Sequence, residues 1–293
     1  PIEVEVHHPK EIDEIFDTFV KFVNLLPDDG CLIICGDHPN NRKLLQCTKI
    51  KSKIVTYGFH EDSDIRARNI IWGESSIKFE ALNKTESLGE IKLNIPGHQN
   101  VENALAAVAA GLEAKIDFLS INSALRCFTG VRRRFQLIGK VDNVFIYDDY
   151  GHHPTEIMAV LRTARSSWSI VKRVICIFQP HRYTRTMHLK SEFGKAFKDA
   201  DIIVITDVYS AGEIPISGIS GDTIAEEVRK NNNNQVNYIP KKQDITNFLI
   251  DMIKDGDLIV TVGAGDINVI GKELYSRLRE KQKHAKIIWK TGR

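Results

Sequence analysis

Residues 148–156 read Asp-Asp-Tyr-Gly-His-His-Pro-Thr-Glu. A turn is satisfied by Gly, Asn, Asp or Ser, so this density of phenol, imidazole and carboxylate asks for another reason. The run follows the apolar segment 144–147 and precedes a helical pattern, which puts it at the exit of a strand. Ligands of α/β sheets sit at the carboxyl ends of strands. One strand-helix unit later comes Phe178-Gln179-Pro180-His181-Arg182-Tyr183-Thr184-Arg185-Thr186, again after an apolar segment. Its two guanidiniums suit a carboxylate or a phosphate, which Arg can hold through two hydrogen bonds. A single Arg in a loop usually marks only a solvated surface. Two strand-exit clusters in consecutive units instead predict that His152, His153, His181, Arg182 and Arg185 share one rim of one sheet.

Two further clusters leave alternatives open. Gly130-Val131-Arg132-Arg133-Arg134-Phe135 reads either as a charged linker or as a polyanion-binding junction. Asn100 and Asn103 lie three residues apart at a helix start, so their amides point the same way. They can cap that helix or hydrogen-bond a purine edge, since Asn both donates and accepts. Gly263-Ala264-Gly265-Asp266 lacks the third Gly of a dinucleotide fingerprint, and no Gly-x-x-x-x-Gly-Lys-Ser/Thr run exists in the chain.

The elements that must carry these residues follow from periodicity. Apolar residues at a helical period span 12–26, and 31–35 and 53–57 read as strands. Residues 65–95 alternate as β hairpins, and 97–111 become an alanine-rich helix suited to close packing on a sheet. Beyond a hinge at Thr129-Gly130, strands are expected at 144–147, 173–178, 202–206, 235–239 and 257–262. Helices are expected at 155–167, 187–199, 221–230, 243–254 and 268–282, with a solvated basic tail after Gln282. Strands alternating with helices imply a mostly parallel sheet with right-handed crossovers.

The 293 residues suit two domains. Hydrophobic residues at 42% and charged residues at 27% fit a soluble globular fold. A formal charge of +2 gives no support to nucleic-acid or membrane-surface binding, and there is no long apolar span. Five cysteines, an odd number scattered through apolar runs, read as buried reduced thiols, which points to the cytoplasm. No obligate protein partner is implied. The chain begins at Pro1 without an initiator Met, inside what reads as a strand, so a piece of something longer is expected.

Taken together, the motifs resemble the Mur ligases, and within that family the branch that joins L-alanine to UDP-N-acetylmuramate. The resemblance rests on the 148–156 and 178–186 runs, Asn100-Val101-Glu102-Asn103-Ala104, Arg133-Arg134-Phe135, Asp207-Val208-Tyr209-Ser210-Ala211-Gly212-Glu213 and Gly263-Ala264-Gly265-Asp266. Gln99 stands where the family usually has His. The resemblance implies a Mur-ligase-like α/β fold: a partial central ATPase domain at 1–129, then a Rossmann-like amino-acid domain at 130–293. The family's UDP domain and P-loop have no counterpart in this chain. The implied chemistry is amide formation through an acyl phosphate, with ATP and Mg²⁺. Asn100, Asn103, Arg134 and Asp149 would meet the nucleotide. Tyr150, His152, His181, Arg182 and Arg185 would surround L-alanine, and His8 would bind the metal. Without the P-loop, the chain alone is expected not to ligate. The alternatives are a ligase that attaches a preformed tripeptide, a non-catalytic nucleotide- or peptide-binding module, and a Rossmann oxidoreductase. The His181-to-Arg185 pattern and the incomplete glycine fingerprint weigh against the first and last.

Overall fold

The computed structural model describes residues 9–47, 50–73, 76–166, 169–231 and 234–291. The chain divides into two compact units between Thr129 and Gly130.

The first unit contains α1 (Pro9–Val23), β1 (Cys31–Cys35), α2 (Pro39–Cys47), β2 (Lys53–Gly58), β3 (Ile65–Trp72), β4 (Ile77–Asn83), β5 (Glu86–Leu93), α3 (His98–Glu113) and α4 (Phe118–Cys127). Its sheet runs β1-β2-β3-β4-β5. The first three strands are parallel, and β3, β4 and β5 form the antiparallel hairpins expected over 65–95. The alanine-rich α3 buries Val101, Ala104, Leu105 and Val108 in a core shared with Phe79, Ile91 and Leu93. Two helices escaped the periodicity. Helix α2 starts at Pro39, whose missing N–H costs nothing there. Helix α4 is capped by Asp117, which accepts the Ser120 N–H at 2.9 Å.

The second unit contains β6 (Gln136–Val141), β7 (Val144–Asp149), α5 (Pro154–Ser166), β8 (Arg173–Phe178), α6 (Tyr183–His188), α7 (Lys190–Lys195), β9 (Ile202–Ile205), α8 (Gly221–Asn231), β10 (Gln235–Tyr238), α9 (Lys242–Ile250), β11 (Asp257–Val262) and α10 (Asn268–Thr291). The strand order is β10-β9-β8-β11-β7-β6, parallel throughout except for β6 at the edge. The mostly parallel α/β expectation is thus met. Both faces are covered, so the strands read as continuous apolar runs. Val174, Cys176 and Phe178 face the core filled by α5, α7 and α8. Ile175 and Ile177 face the core filled by α9 and α10. Each fully buried Ile, Leu or Phe contributes about 1.5–3 kcal/mol.

Some expectations shift. Strand β6 is not among the expected strands. Its alternation is hidden by a register shift between Leu137 and Gly139. Gly139 packs against the Tyr275 ring so closely that a Cβ there would lie 2.3 Å from a ring carbon. The helix expected over 187–199 is two short helices broken at Leu189. Helix α10 continues through Thr291, past the solvated end expected after Gln282. All five cysteines are free, but only Cys176 is buried, and Cys47 and Cys127 are exposed. Among the described residues no helix is long and apolar enough to cross a membrane.

The connections fix where a ligand can sit in the second unit. The chain leaving β8 passes to α7 on one face, and the chain leaving β11 passes to α10 on the other. Neighbouring strands β8 and β11 therefore form a topological switch point, and a crevice opens at their carboxyl ends.

Candidate functional site

The exit of β7 is held by two buried carboxylates. Asp148 is 1% exposed; it accepts the Thr261 hydroxyl at 2.7 Å and faces Arg133 Nε at 3.2 Å. Arg133 also donates to the Gly263 carbonyl at 2.5 Å, and its guanidinium lies 4.9 Å from the Tyr150 ring centre. The Tyr150 N–H donates to the Arg133 carbonyl at 2.7 Å. Asp149, expected to face a nucleotide, is 5% exposed, and its two oxygens accept the Phe135 and Gly151 N–H groups at 2.7 Å each. Burial pushes its pKa up to about 6 against those two hydrogen bonds. Arg133 and Phe135 have φ of 59° and 43°, unusual for non-glycine residues. The carboxylates thus clamp a strained turn, and neighbouring Arg134 projects exposed beside Glu156 at 3.5 Å.

His152 and His153 are placed by the start of α5. Pro154 occupies the first helical position. Glu156, two residues on, reaches back to accept the His152 and His153 N–H groups at 2.8 and 3.2 Å, as in a capping box. Burial works to raise the Glu156 pKa. These hydrogen bonds and the His152 and Arg134 charges outweigh it and hold the pKa below the usual range. The His152 ring is further fixed by its Nδ1, 3.1 Å from the Tyr150 carbonyl.

At the exit of β8, the expected meeting of the two clusters is seen in the rings. Tyr150 meets His152 edge-on at 5.5 Å, and His152 meets His181 at 5.8 Å. His181 stacks on Tyr209 at 5.6 Å and 9°. The two arginines differ in burial. Arg185 is 3% exposed and its Nη1 lies 3.1 Å from the His181 carbonyl and 3.2 Å from His181 Nδ1. Arg182 is exposed, with φ of 71° held by its N–H on the Tyr209 carbonyl at 2.8 Å. Backbone of that kind costs about 1–3 kcal/mol and persists where surroundings over-determine it. Glu213 is one such support, accepting the Thr184 hydroxyl at 2.6 Å and its N–H at 3.1 Å. Burial opposes ionisation of Glu213, but the Thr184 and Tyr183 hydrogen bonds lower its pKa.

Beside this row, at the switch point, lies a polar cleft of about 380 Å³ lined by Gln179, Thr206, Tyr209, Lys242 and Asp266. Asp266 pairs with Lys242 and accepts Gln179 Nε2 at 3.1 Å. Sequence reasoning passed over Arg133, Glu156, Tyr209 and Gln179. All stand inside the quoted motifs, but only Glu156 carries a local signal, its capping-box spacing.

In the first unit Asn100 donates from Nδ2 to the Pro96 carbonyl at 2.6 Å, which ties down the start of α3. Asn103 is exposed on the next turn. His98 lies against Phe59 at 4.0 Å and stacks on Trp72 at 5.9 Å. His8 lies outside the described residues. Among the described residues one group, Cys35, Asp37 and Glu102, has donor atoms close enough to share a metal ion. It does not fit Mg²⁺, which takes oxygen ligands in near-octahedral geometry. One member is a thiol, and both Asp37 oxygens already accept the Phe59 and His60 N–H groups at 2.6 and 2.9 Å.

Comparison with known proteins adds sequence relationships to this geometry. Residues 4–111 match the Mur ligase middle domain, and residues 133–265 match the Mur ligase, glutamate ligase domain. The UDP-N-acetylmuramate–L-alanine ligase of Geotalea daltonii is 40% identical over 92% of this chain and 58% of its own length. The chain thus spans less than two thirds of the length of such relatives. The crystal structure of UDP-N-acetylmuramate–alanine ligase from Thermotoga maritima superposes with a TM-score of 0.68 at 24% identity, covering 89% of this chain and 62% of that one. The MurF ligase of the same organism, solved with ADP, gives 0.68 at 15% identity, covering 92% and 58%.

Proposed function

The chain belongs to the Mur ligase family, and on that premise we propose that its second unit holds the amino acid of an ATP-dependent amide-forming ligase. The reaction is the joining of L-alanine to UDP-N-acetylmuramate in peptidoglycan precursor synthesis, within a longer chain and in the cytoplasm, where free thiols persist. One observation carries this reading: Tyr150, His152, His181 and Tyr209 form a continuous row of rings over the exits of β7 and β8, with exposed Arg182 beside it.

The exposed Arg182 guanidinium takes the amino-acid carboxylate through paired charge-assisted hydrogen bonds. Arg185 is a positioning residue that orients His181 from beneath. Imidazoles exchange protons near neutral pH, so His152 and His181 can hold the amine and accept a proton from it as it becomes a nucleophile. Glu156 and Asp149 act through the backbone, the first aligning His152 and the second fixing the turn that presents Arg134.

ATP, when bound, would supply the phosphoryl group that makes a carboxylate reactive toward an amine. Asn103 on α3 suits an adenine edge, and exposed Arg134 suits a phosphate. The chain itself holds no P-loop run to cradle the β- and γ-phosphates. No step is assigned to Mg²⁺, because the one described donor group does not suit it.

Two measurements test the reading. Incubated with ATP, L-alanine and UDP-N-acetylmuramate, the chain alone yields no ligation product, and product would refute the need for a separate phosphate cradle. Saturation-transfer NMR detects L-alanine on the chain, and Arg182→Ala abolishes the signal. Silence from the unaltered chain would refute the amino-acid site.

A further inference from the structure

The row of rings ends at Tyr209, and Tyr209 also lines the polar cleft at the switch point. None of Tyr150, His152, His181 or Arg185 lines that cleft. One aromatic ring therefore stands between the rim that takes an amino acid and a space of about 380 Å³. We propose that Tyr209 is the wall that limits side-chain length in the amino-acid site, and that the cleft behind it accepts a longer polar side chain once the ring is removed. This rests on the amino-acid reading of the rim.

Three features of the cleft give it a chemistry. Gln179 is 5% exposed, and its Oε1 is buried with no hydrogen-bond donor. A buried acceptor left unpaired costs free energy that an incoming N–H would recover. Asp266 accepts from the Nε2 of the same Gln179 amide and pairs with Lys242, which holds that amide with Oε1 as its unpaired end. Gly265 lets ring and amide approach the backbone: a Cβ there would lie 2.4 Å from Gln179 Oε1 and 2.7 Å from Tyr209 Cγ. The occupant suited to this wall is a side chain ending in an amide, as in L-glutamine, since Lys241 and Lys242 in the same lining repel an ammonium.

The wall can be removed without dismantling its support. Tyr209 is held through its main chain, its N–H on the Pro180 carbonyl and its carbonyl on the Arg182 N–H, both at 2.8 Å. The residue is 40% exposed, so truncation leaves no sealed cavity.

The test is a competition series by saturation-transfer NMR on the full chain, with glycine, L-alanine, L-serine, L-glutamine and L-lysine. The unaltered chain favours L-alanine. Tyr209→Ala, or Tyr209→Ser should the first not fold, shifts the preference toward L-glutamine, and not toward L-lysine, by roughly tenfold or more, the scale set by a newly matched polar contact. Tyr209→Phe, which restores the ring, restores the L-alanine preference. Adding Gln179→Leu to Tyr209→Ala cancels the gain. An unchanged order in Tyr209→Ala overturns the wall while leaving the site. A shift in Tyr209→Phe as large as in Tyr209→Ala overturns it too, because the hydroxyl and not the ring would then decide. An unaltered chain that binds no amino acid overturns the site and the wall together.

Discussion

Replacing Asp149 by Asn should remove a pH dependence of stability that the folded state builds in. The Asp149 carboxyl is buried between the exit of β7 and the Arg133–Phe135 turn, and its pKa rises to about 6. An unfolded carboxyl titrates at about 4. Between those values the native state holds the proton and the unfolded state does not, so rising pH favours unfolding. The stabilising contribution is complete below about pH 4 and is lost as the pH rises through about 6. A rise of that size corresponds to roughly 3 kcal/mol. Asn cannot ionise, so Asp149→Asn lacks this slope, although it must leave one of the two backbone N–H groups facing its own NH₂. That mismatch costs about 1–3 kcal/mol at every pH. The assay is urea unfolding of both proteins at about pH 4.5 and about pH 7.5, comparing how the difference in stability changes. The difference should move against the unaltered protein by about 2 kcal/mol on going to the higher pH, because part of the unfolded carboxyl is already ionised at the lower one. A difference that stays constant, or moves in its favour, would refute the argument. So would a carboxyl-carbon NMR titration placing the Asp149 midpoint near 4.

Two further outcomes are expected. Arg133→Ala strands the Asp148 carboxylate, which is 1% exposed, and should destabilise the protein by about 3–5 kcal/mol in thermal or urea unfolding. Arg182→Gly separates stability from binding: relief of the φ of 71° should leave stability equal or raised by up to about 1 kcal/mol, while L-alanine binding is lost.

The sequence alone settled the alternation of strands and helices in the second unit, because a parallel sheet covered on both faces needs long apolar runs separated by amphipathic helices. It also settled that His152 and His181 share a rim, since both follow strands of one sheet and strand exits point one way. It could not separate Arg133 from Arg134, or Arg185 from Arg182. Each pair differs in burial, and burial came from a left-handed turn at Arg133 and from the packing of α6, neither of which has a sequence period. Nor could it place Tyr209 beside His181. That contact exists because β9 pairs with β8, which carries the loop after β9 against the loop after β8. The same is true of the cleft: Gln179 and Asp266 are 87 residues apart and meet only because β11 inserts next to β8. Residue types and local period are written along the chain, whereas which strand neighbours which is decided by the packing of the whole sheet.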